Sequence, residues 1–218
     1  MERVRERGFG MWTGVPCSFL TPLIDCVIAH PRLRWIASAN EGDAVATAAG
    51  AVLAGERGVA IMQNSGLGNA VNPLASLTHT LRIPVLLIVT LRGDPTLRDE
   101  PQHALMGTIT ERMLEELRIP WEMFPTRAAE IEPALARACT HLDGQQLPYA
   151  FVMRKGSVAA QPDGAPVPAR AGRGLSAALR RGGAHAPDER SSRCQALRRI
   201  VAATPTGDAV LIATTGYT

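Results

Sequence analysis

Trp35-Ile36-Ala37-Ser38-Ala39-Asn40-Glu41-Gly42-Asp43-Ala44-Val45-Ala46-Thr47-Ala48-Ala49-Gly50-Ala51 is the stretch on which the reading of the fold turns: a short apolar run breaks at a carboxylate and continues as small residues. Trp35 to Ala37 reads as a strand end and Asp43 to Ala54 as a helix of good formers, so Glu41 falls in the turn between them. Asn40 suits the N-cap, with Asp43 at the third helical position of a loose capping box. The alanines and glycines carry little bulk and let another backbone pack closely. Glu41 then has two readings. It complements the positive end of the helix dipole, as first-turn acids commonly do, or it is a functional carboxylate, since the core has no need of it.

Outward from this stretch, strands and helices alternate. Phe9 to Val15 reads as a strand, Gly14-Val15-Pro16-Cys17-Ser18-Phe19 as a turn, and Leu20 to Ala29 as a helix. Gly58 to Met62 is a strand, followed by the loop Gln63-Asn64-Ser65-Gly66-Leu67-Gly68-Asn69 and a helix over Ala70 to Thr80. The Gly-x-Gly in that loop is not a dinucleotide fingerprint, because Val71 stands where the third glycine belongs and no acid follows about 20 positions on. Ile83 to Thr90 is a near-continuous apolar run, as in a strand buried on both faces of a parallel sheet. Helices at Thr110 to Leu117 and Ala128 to Leu142, and strands at Glu122 to Phe124 and Tyr149 to Arg154, extend the pattern. The expected fold is α/β, a doubly wound, mainly parallel sheet flanked by helices, with ligands at the carboxyl ends of the strands. Ala159 to Pro187 has no apolar periodicity and reads as a connector. A helix over Arg190 to Ala203 and a strand over Ala209 to Ala213 precede Thr214-Thr215-Gly216-Tyr217-Thr218.

With 218 residues and 46% hydrophobic content the chain can bury one substantial core. No apolar run reaches the roughly 20 residues of a membrane helix, and the charged start is followed by no signal-peptide apolar region; the expectation is a cytoplasmic protein without a membrane partner. The four cysteines are scattered, indicating neither a zinc site nor a disulfide framework. The net charge of +3 belongs to one segment: residues 159 to 200 carry eight Arg against three acids. That segment has no aromatic residue to stack on a base, so nucleic acid is not expected as a partner.

Two loops add chemistry. Arg92, Arg98 and His103 follow the apolar strand, and guanidinium forks there suit a substrate with extra negative charge; His103 is otherwise an exposed loop histidine. Pro16 and Ser18 have an ordinary explanation as turn and cap.

Asn40-Glu41-Gly42-Asp43-Ala44-Val45-Ala46 with Ala48-Ala49-Gly50 resembles the glutamate motif of thiamine-diphosphate enzymes, in the domain that binds the aminopyrimidine ring. Gly14-Val15-Pro16-Cys17-Ser18 resembles a cofactor-lip loop of the decarboxylases in that family, and Gln102-His103-Ala104-Leu105-Met106-Gly107 their histidine segment. Asp99-Glu100-Pro101-Gln102-His103 and the Thr-Thr-Gly ending are similar to phosphonopyruvate decarboxylases. The resemblance implies a 2-keto acid decarboxylase in which Glu41 shares a proton with N1′ of the aminopyrimidine. Val15, Pro16, Asn64 and Asn72 would border the cofactor, Ser18, Arg92, Arg98 and His103 the substrate. It implies thiamine diphosphate with Mg²⁺, a small anionic 2-keto acid, phosphonopyruvate ahead of sulfopyruvate, and a homo-oligomer or a complementary diphosphate-binding subunit. The Gly-Asp-Gly…Asn motif that holds Mg²⁺ is missing: the Gly-Asp pairs at 42, 93 and 207 are each followed by Ala or Pro. No metal ligand is therefore expected in this chain. The domains so implied are 1–157 for the pyrimidine, a linker over 158–189, and the start of a diphosphate-binding domain at 190–218. A catalytically silent interaction domain is the alternative from another class.

Overall fold

The computed structural model describes residues 1–159 and 192–203. The chain divides into two units, Met1–Ala169 and Arg170–Thr218. In the first, six strands pair side by side in the order β2-β1-β3-β4-β6-β5, every pair parallel. These are β1 (Met11–Gly14), β2 (Arg34–Ala37), β3 (Gly58–Met62), β4 (Leu86–Thr90), β5 (Trp121–Met123) and β6 (Tyr149–Met153). Strand side chains alternate between two cores. Trp12, Val59, Ile61, Leu86, Ile88 and Phe151 face one side, with α2 (Thr21–Ala29) and α6 (Ala128–Gln145). Ala60, Met62, Leu87, Val89, Ala150 and Val152 face the other, with α3 (Glu41–Leu53), α4 (Leu67–Asn72) and α5 (Ala104–Glu116). Burial on both faces explains why the central strands read as continuous apolar runs.

Departures from the sequence reading have local causes. Residues 1–7 were read only as a charged start, but Glu2–Glu6 form α1, tied down by Glu2 to Arg32 and by Arg7 to Glu132. β4 begins at Leu86 rather than Ile83, because Pro84 has no N–H to give and the Val85 N–H turns back to the Ile83 carbonyl at 3.0 Å. The helix expected over Ala70 to Thr80 starts earlier, at Leu67, and loosens to a π-helix over Pro73–His79, where the proline interrupts the α-helical ladder. α5 begins at Ala104, six residues before Thr110, led in by a single tight turn over Pro101–His103.

In the second unit α7 spans Arg193–Ala203. Ser192 and Gln195 exchange hydrogen bonds in a capping box, the Ser192 N–H to Gln195 Oε1 at 2.8 Å and the Gln195 N–H to Ser192 Oγ at 3.3 Å. The connector expected over Ala159 to Pro187, apart from Ala159 itself, the strand at Ala209 to Ala213 and the ending Thr214 to Thr218 lie outside the described residues.

Candidate active site

The sheet winds outward from β1 toward β2 on one side and β3 on the other, so the carboxyl ends of β1 and β3 flank the switch point where ligands collect in such sheets. Val15, half-buried, and Pro16, exposed, leave β1 there, and Gln63 leaves β3, its Oε1 accepting from the Cys17 thiol at 3.2 Å.

Glu41 is the first residue of α3. Asn40 caps the helix in extended conformation, its side-chain oxygen accepting from the Gly42 N–H at 2.7 Å; the cap is as the sequence predicts, with the second rather than the third helical N–H as its donor. The Glu41 carboxyl is pinned at one oxygen only, Oε2 accepting from Asn69 Nδ2 at 2.8 Å. Oε1 makes no hydrogen bond among the described residues and lies directly over Gly66, where a Cβ would overlap it. An oriented carboxyl with one vacant oxygen, at a helix start on the ligand-collecting edge, fits a ring nitrogen that shares a proton. Gly66→Ala would meet the end of a flexible side chain rather than backbone, so we expect it to swing Glu41 aside at little cost to the fold. The melting temperature should stay within about 2 °C of the parent, while any proton transfer that depends on Glu41 slows by roughly 10²-fold. A large loss of melting temperature would show that Gly66 serves packing instead.

Asn64 is fully buried and braces the same edge. Its N–H reaches Thr90 Oγ1 at 3.3 Å, and its Nδ2 reaches the Arg92 carbonyl at 2.8 Å and Thr110 Oγ1 at 3.0 Å. Its Oδ1 is buried and has no hydrogen-bond partner among the described residues, a second unsatisfied acceptor beside the carboxyl end of β3. Asn72 is exposed at the end of α4 and accepts from Ser76 Oγ at 3.1 Å.

Ser18, Arg92 and Arg98 come together in the wall of one cleft of about 1040 Å³, with Phe19, Asp99 and Lys155. Arg92 is not a free cation there. Its fork grips Asp99 at 2.8 and 2.6 Å, its guanidinium lies 4.4 Å from the Phe19 ring centre, and only Nη1 turns to Ser18 Oγ at 3.4 Å. The pair is largely buried, with 13% and 11% of the two side chains exposed. Asp99 also accepts from the Gly93 and Glu100 N–H groups at 2.8 and 2.9 Å. The Arg92 guanidinium, and after it these backbone donors, hold the Asp99 carboxyl well below its ordinary 3.8. The stabilisation is therefore fully present above that ordinary value and lost as pH falls through the lower, folded one. Asp99→Asn should lower stability by about 1–3 kcal/mol near neutrality, a deficit that shrinks below pH 4. Urea midpoints measured against pH check this, and a deficit constant down to pH 2 would exclude the ion pair as its source.

His103, half-buried at the end of the turn before α5, is not in the cleft wall; its carbonyl packs on Gly93 and its imidazole makes no hydrogen bond among the described residues. Sequence reasoning missed two residues at this edge. Asp94, 3% exposed, accepts from the Thr96 N–H and hydroxyl and pairs with Arg154 Nε at 2.9 Å, joining the ends of β4 and β6. Lys155 stands next to that Arg154. The only signal in the sequence was their position just past strand ends. Among the described residues no group of three or more His, Cys, Asp or Glu side chains could hold a metal ion, and no helix is long and apolar enough to cross a membrane.

An open parallel sheet whose ligand edge carries an oriented carboxylate defines an α/β cofactor-binding domain. Residues 1–113 match the family described as thiamine pyrophosphate enzyme, N-terminal TPP binding domain, and the chain belongs to that family. It is 44% identical over 211 residues to a phosphonopyruvate decarboxylase of Streptomyces viridochromogenes, covering 96% of this chain and 52% of that one. To a sulfopyruvate decarboxylase subunit alpha of Methanothermobacter thermautotrophicus it is 36% identical over 132 residues, 61% of this chain and 79% of the relative. The chain spans about half the length of the phosphonopyruvate decarboxylases it matches. The fold is shared with the benzoylformate decarboxylase of Polynucleobacter necessarius, TM-score 0.58 at 19% identity, over 76% of this chain and 31% of that one.

Proposed function

We propose that the chain supplies the pyrimidine-binding half of a decarboxylase that converts 3-phosphonopyruvate to phosphonoacetaldehyde and CO₂, working in the cytoplasm. What carries the reading is that one sheet edge holds both an oriented carboxylate, Glu41, and a cleft walled by cations. Thiamine diphosphate, when bound, supplies the electron sink into which the carboxylate's bonding pair passes as CO₂ leaves. The chain's own residues do the rest. Glu41, fixed by Asn69, holds a proton at N1′ of the aminopyrimidine through its vacant Oε1. Val15 and Pro16 border the ring, with Asn64 and Asn72 on the side of β3 and α4. Ser18 and Arg98 orient the anionic head of the keto acid, Arg92, its fork filled by Asp99, steadies Ser18 through Nη1, and His103 lies toward the reacting carbonyl. The diphosphate and Mg²⁺ are held by the second half of the enzyme or a complementary subunit, and the assembly is oligomeric.

The second reading is sulfopyruvate decarboxylation, favoured by the fuller coverage of the alpha subunit of that enzyme. The test is aldehyde release from each keto acid by the completed enzyme, meaning this chain together with its diphosphate-binding part. Faster release from phosphonopyruvate upholds the proposal, faster release from sulfopyruvate selects the second reading, and release from neither refutes both.

A further inference from the structure

The geometry points to Lys155, with Arg98, as the pair that selects a doubly charged phosphonate head over a singly charged sulfonate in the cleft beside Phe19. This rests on the decarboxylase reading above and adds to it the residues that set the substrate's charge.

The cleft-facing charges are Arg92, Arg98, Asp99 and Glu100 from the segment after β4 and Lys155 from the turn after β6, while the β1–α2 segment contributes Ser18 and Phe19 without charge. Two of these charges cancel, since Arg92 spends its fork on Asp99, which leaves Arg98 and Lys155 against Glu100. Arg98 and Lys155 make no ion pair among the described residues. Lys155 is nevertheless well placed. Its neighbour Arg154 is bound to the buried Asp94, and the turn is closed by the Ser157 N–H to the Arg154 carbonyl at 3.2 Å, with Gly156 at φ +77. That positive φ suits glycine and fixes the turn. Lys155 Nζ lies 5.9 Å from the centre of the same Phe19 ring on which Arg92 stacks. An ammonium is a compact point charge with three donors, whereas the Arg92 fork is already filled.

A phosphonate and a sulfonate have nearly the same shape and differ in charge. The second proton of the phosphorus acid leaves near neutrality, at about pH 6 for a phosphate ester, while the sulfonate stays singly charged. Arg98 and Lys155, set against Glu100 alone, leave the cleft wall with a net positive charge, and this favours the dianion because Coulomb attraction scales with the ligand charge.

The probes are methylphosphonate and methanesulfonate, titrated into the full chain and followed by backbone amide shifts. Methylphosphonate should bind more tightly at pH 8, with the preference shrinking toward pH 5.5. Lys155→Ala should weaken methylphosphonate roughly tenfold, one charged hydrogen bond lost, with a smaller effect on methanesulfonate and an unchanged amide spectrum away from the cleft. Lys155→Arg should restore most of the affinity. Equal weakening of both anions, or none, overturns the selection. The two readings fail separately. A completed enzyme that turns over phosphonopyruvate with unaltered KM in Lys155→Ala sinks this inference alone. A chain that binds methylphosphonate through Lys155 within an enzyme that releases no aldehyde sinks the decarboxylase reading alone.

Discussion

Glu41→Gln in the completed enzyme is expected to slow exchange of the thiazolium C2 proton by at least about 10²-fold, the usual scale of lost proton-transfer assistance. The substitution is chosen for what it leaves in place. Glutamine keeps a carbonyl oxygen that accepts from Asn69 Nδ2, as Glu41 Oε2 does now at 2.8 Å, and it has the same length and shape over Gly66. Asn40 continues to cap α3 through Gly42. What disappears is an oxygen that can carry negative charge and share a proton with a ring nitrogen. Loss of exchange with an unchanged melting temperature therefore isolates the proton-sharing role. Near-normal exchange would return Glu41 to its other reading, an acid that serves the helix dipole.

The parts of this molecule legible in its sequence are those specified by neighbours in the chain. Gly58–Met62 and Tyr149–Met153 were readable because strands buried on both faces cannot alternate. Asn40 was readable because a cap is a short-range requirement. The site was less legible where its meaning depends on contacts across loops. Arg92 looked like a free fork, and its sequence does not reveal that Asp99, seven residues on, folds back to fill it. Asn64 reads from the sequence only as part of a glycine-containing loop, yet it is the brace between β3, the end of β4 and α5. Lys155 after a strand end is indistinguishable by pattern from any solvated lysine; only the fold puts it in one cleft with Ser18 and Arg98. The start of α5 was missed for a similar reason, since it is set by a backbone contact with the turn at Gly93 rather than by apolar periodicity.

That backbone contact carries the largest expected effect on stability. Gly107, in the first turn of α5, lies so close to Gly93 that a Cβ would overlap the Gly93 carbonyl oxygen and carbon, main-chain atoms with no rotamer to escape into. Gly93 cannot retreat. It sits at φ +75, its N–H is held by Asp99 at 2.8 Å, and it packs against the His103 carbonyl and the Ala104 N at the start of the same helix. Gly107→Ala must therefore lift α5 off the turn, stretching the bond from Asn64 to Thr110 and loosening fully buried Leu114. The expected cost is about 3 kcal/mol or more, at the high end for overpacking because backbone has to move, or roughly 10 °C in melting temperature for a domain of this size. The same methyl at Gly66, facing a side chain, should cost almost nothing in stability. A scan of the two variants beside the parent tests the contrast directly: a melting temperature for Gly107→Ala equal to that of Gly66→Ala would mean that α5 does not rest on the Arg92-Gly93-Asp94 turn, and the cleft wall built on that turn would have to be drawn again.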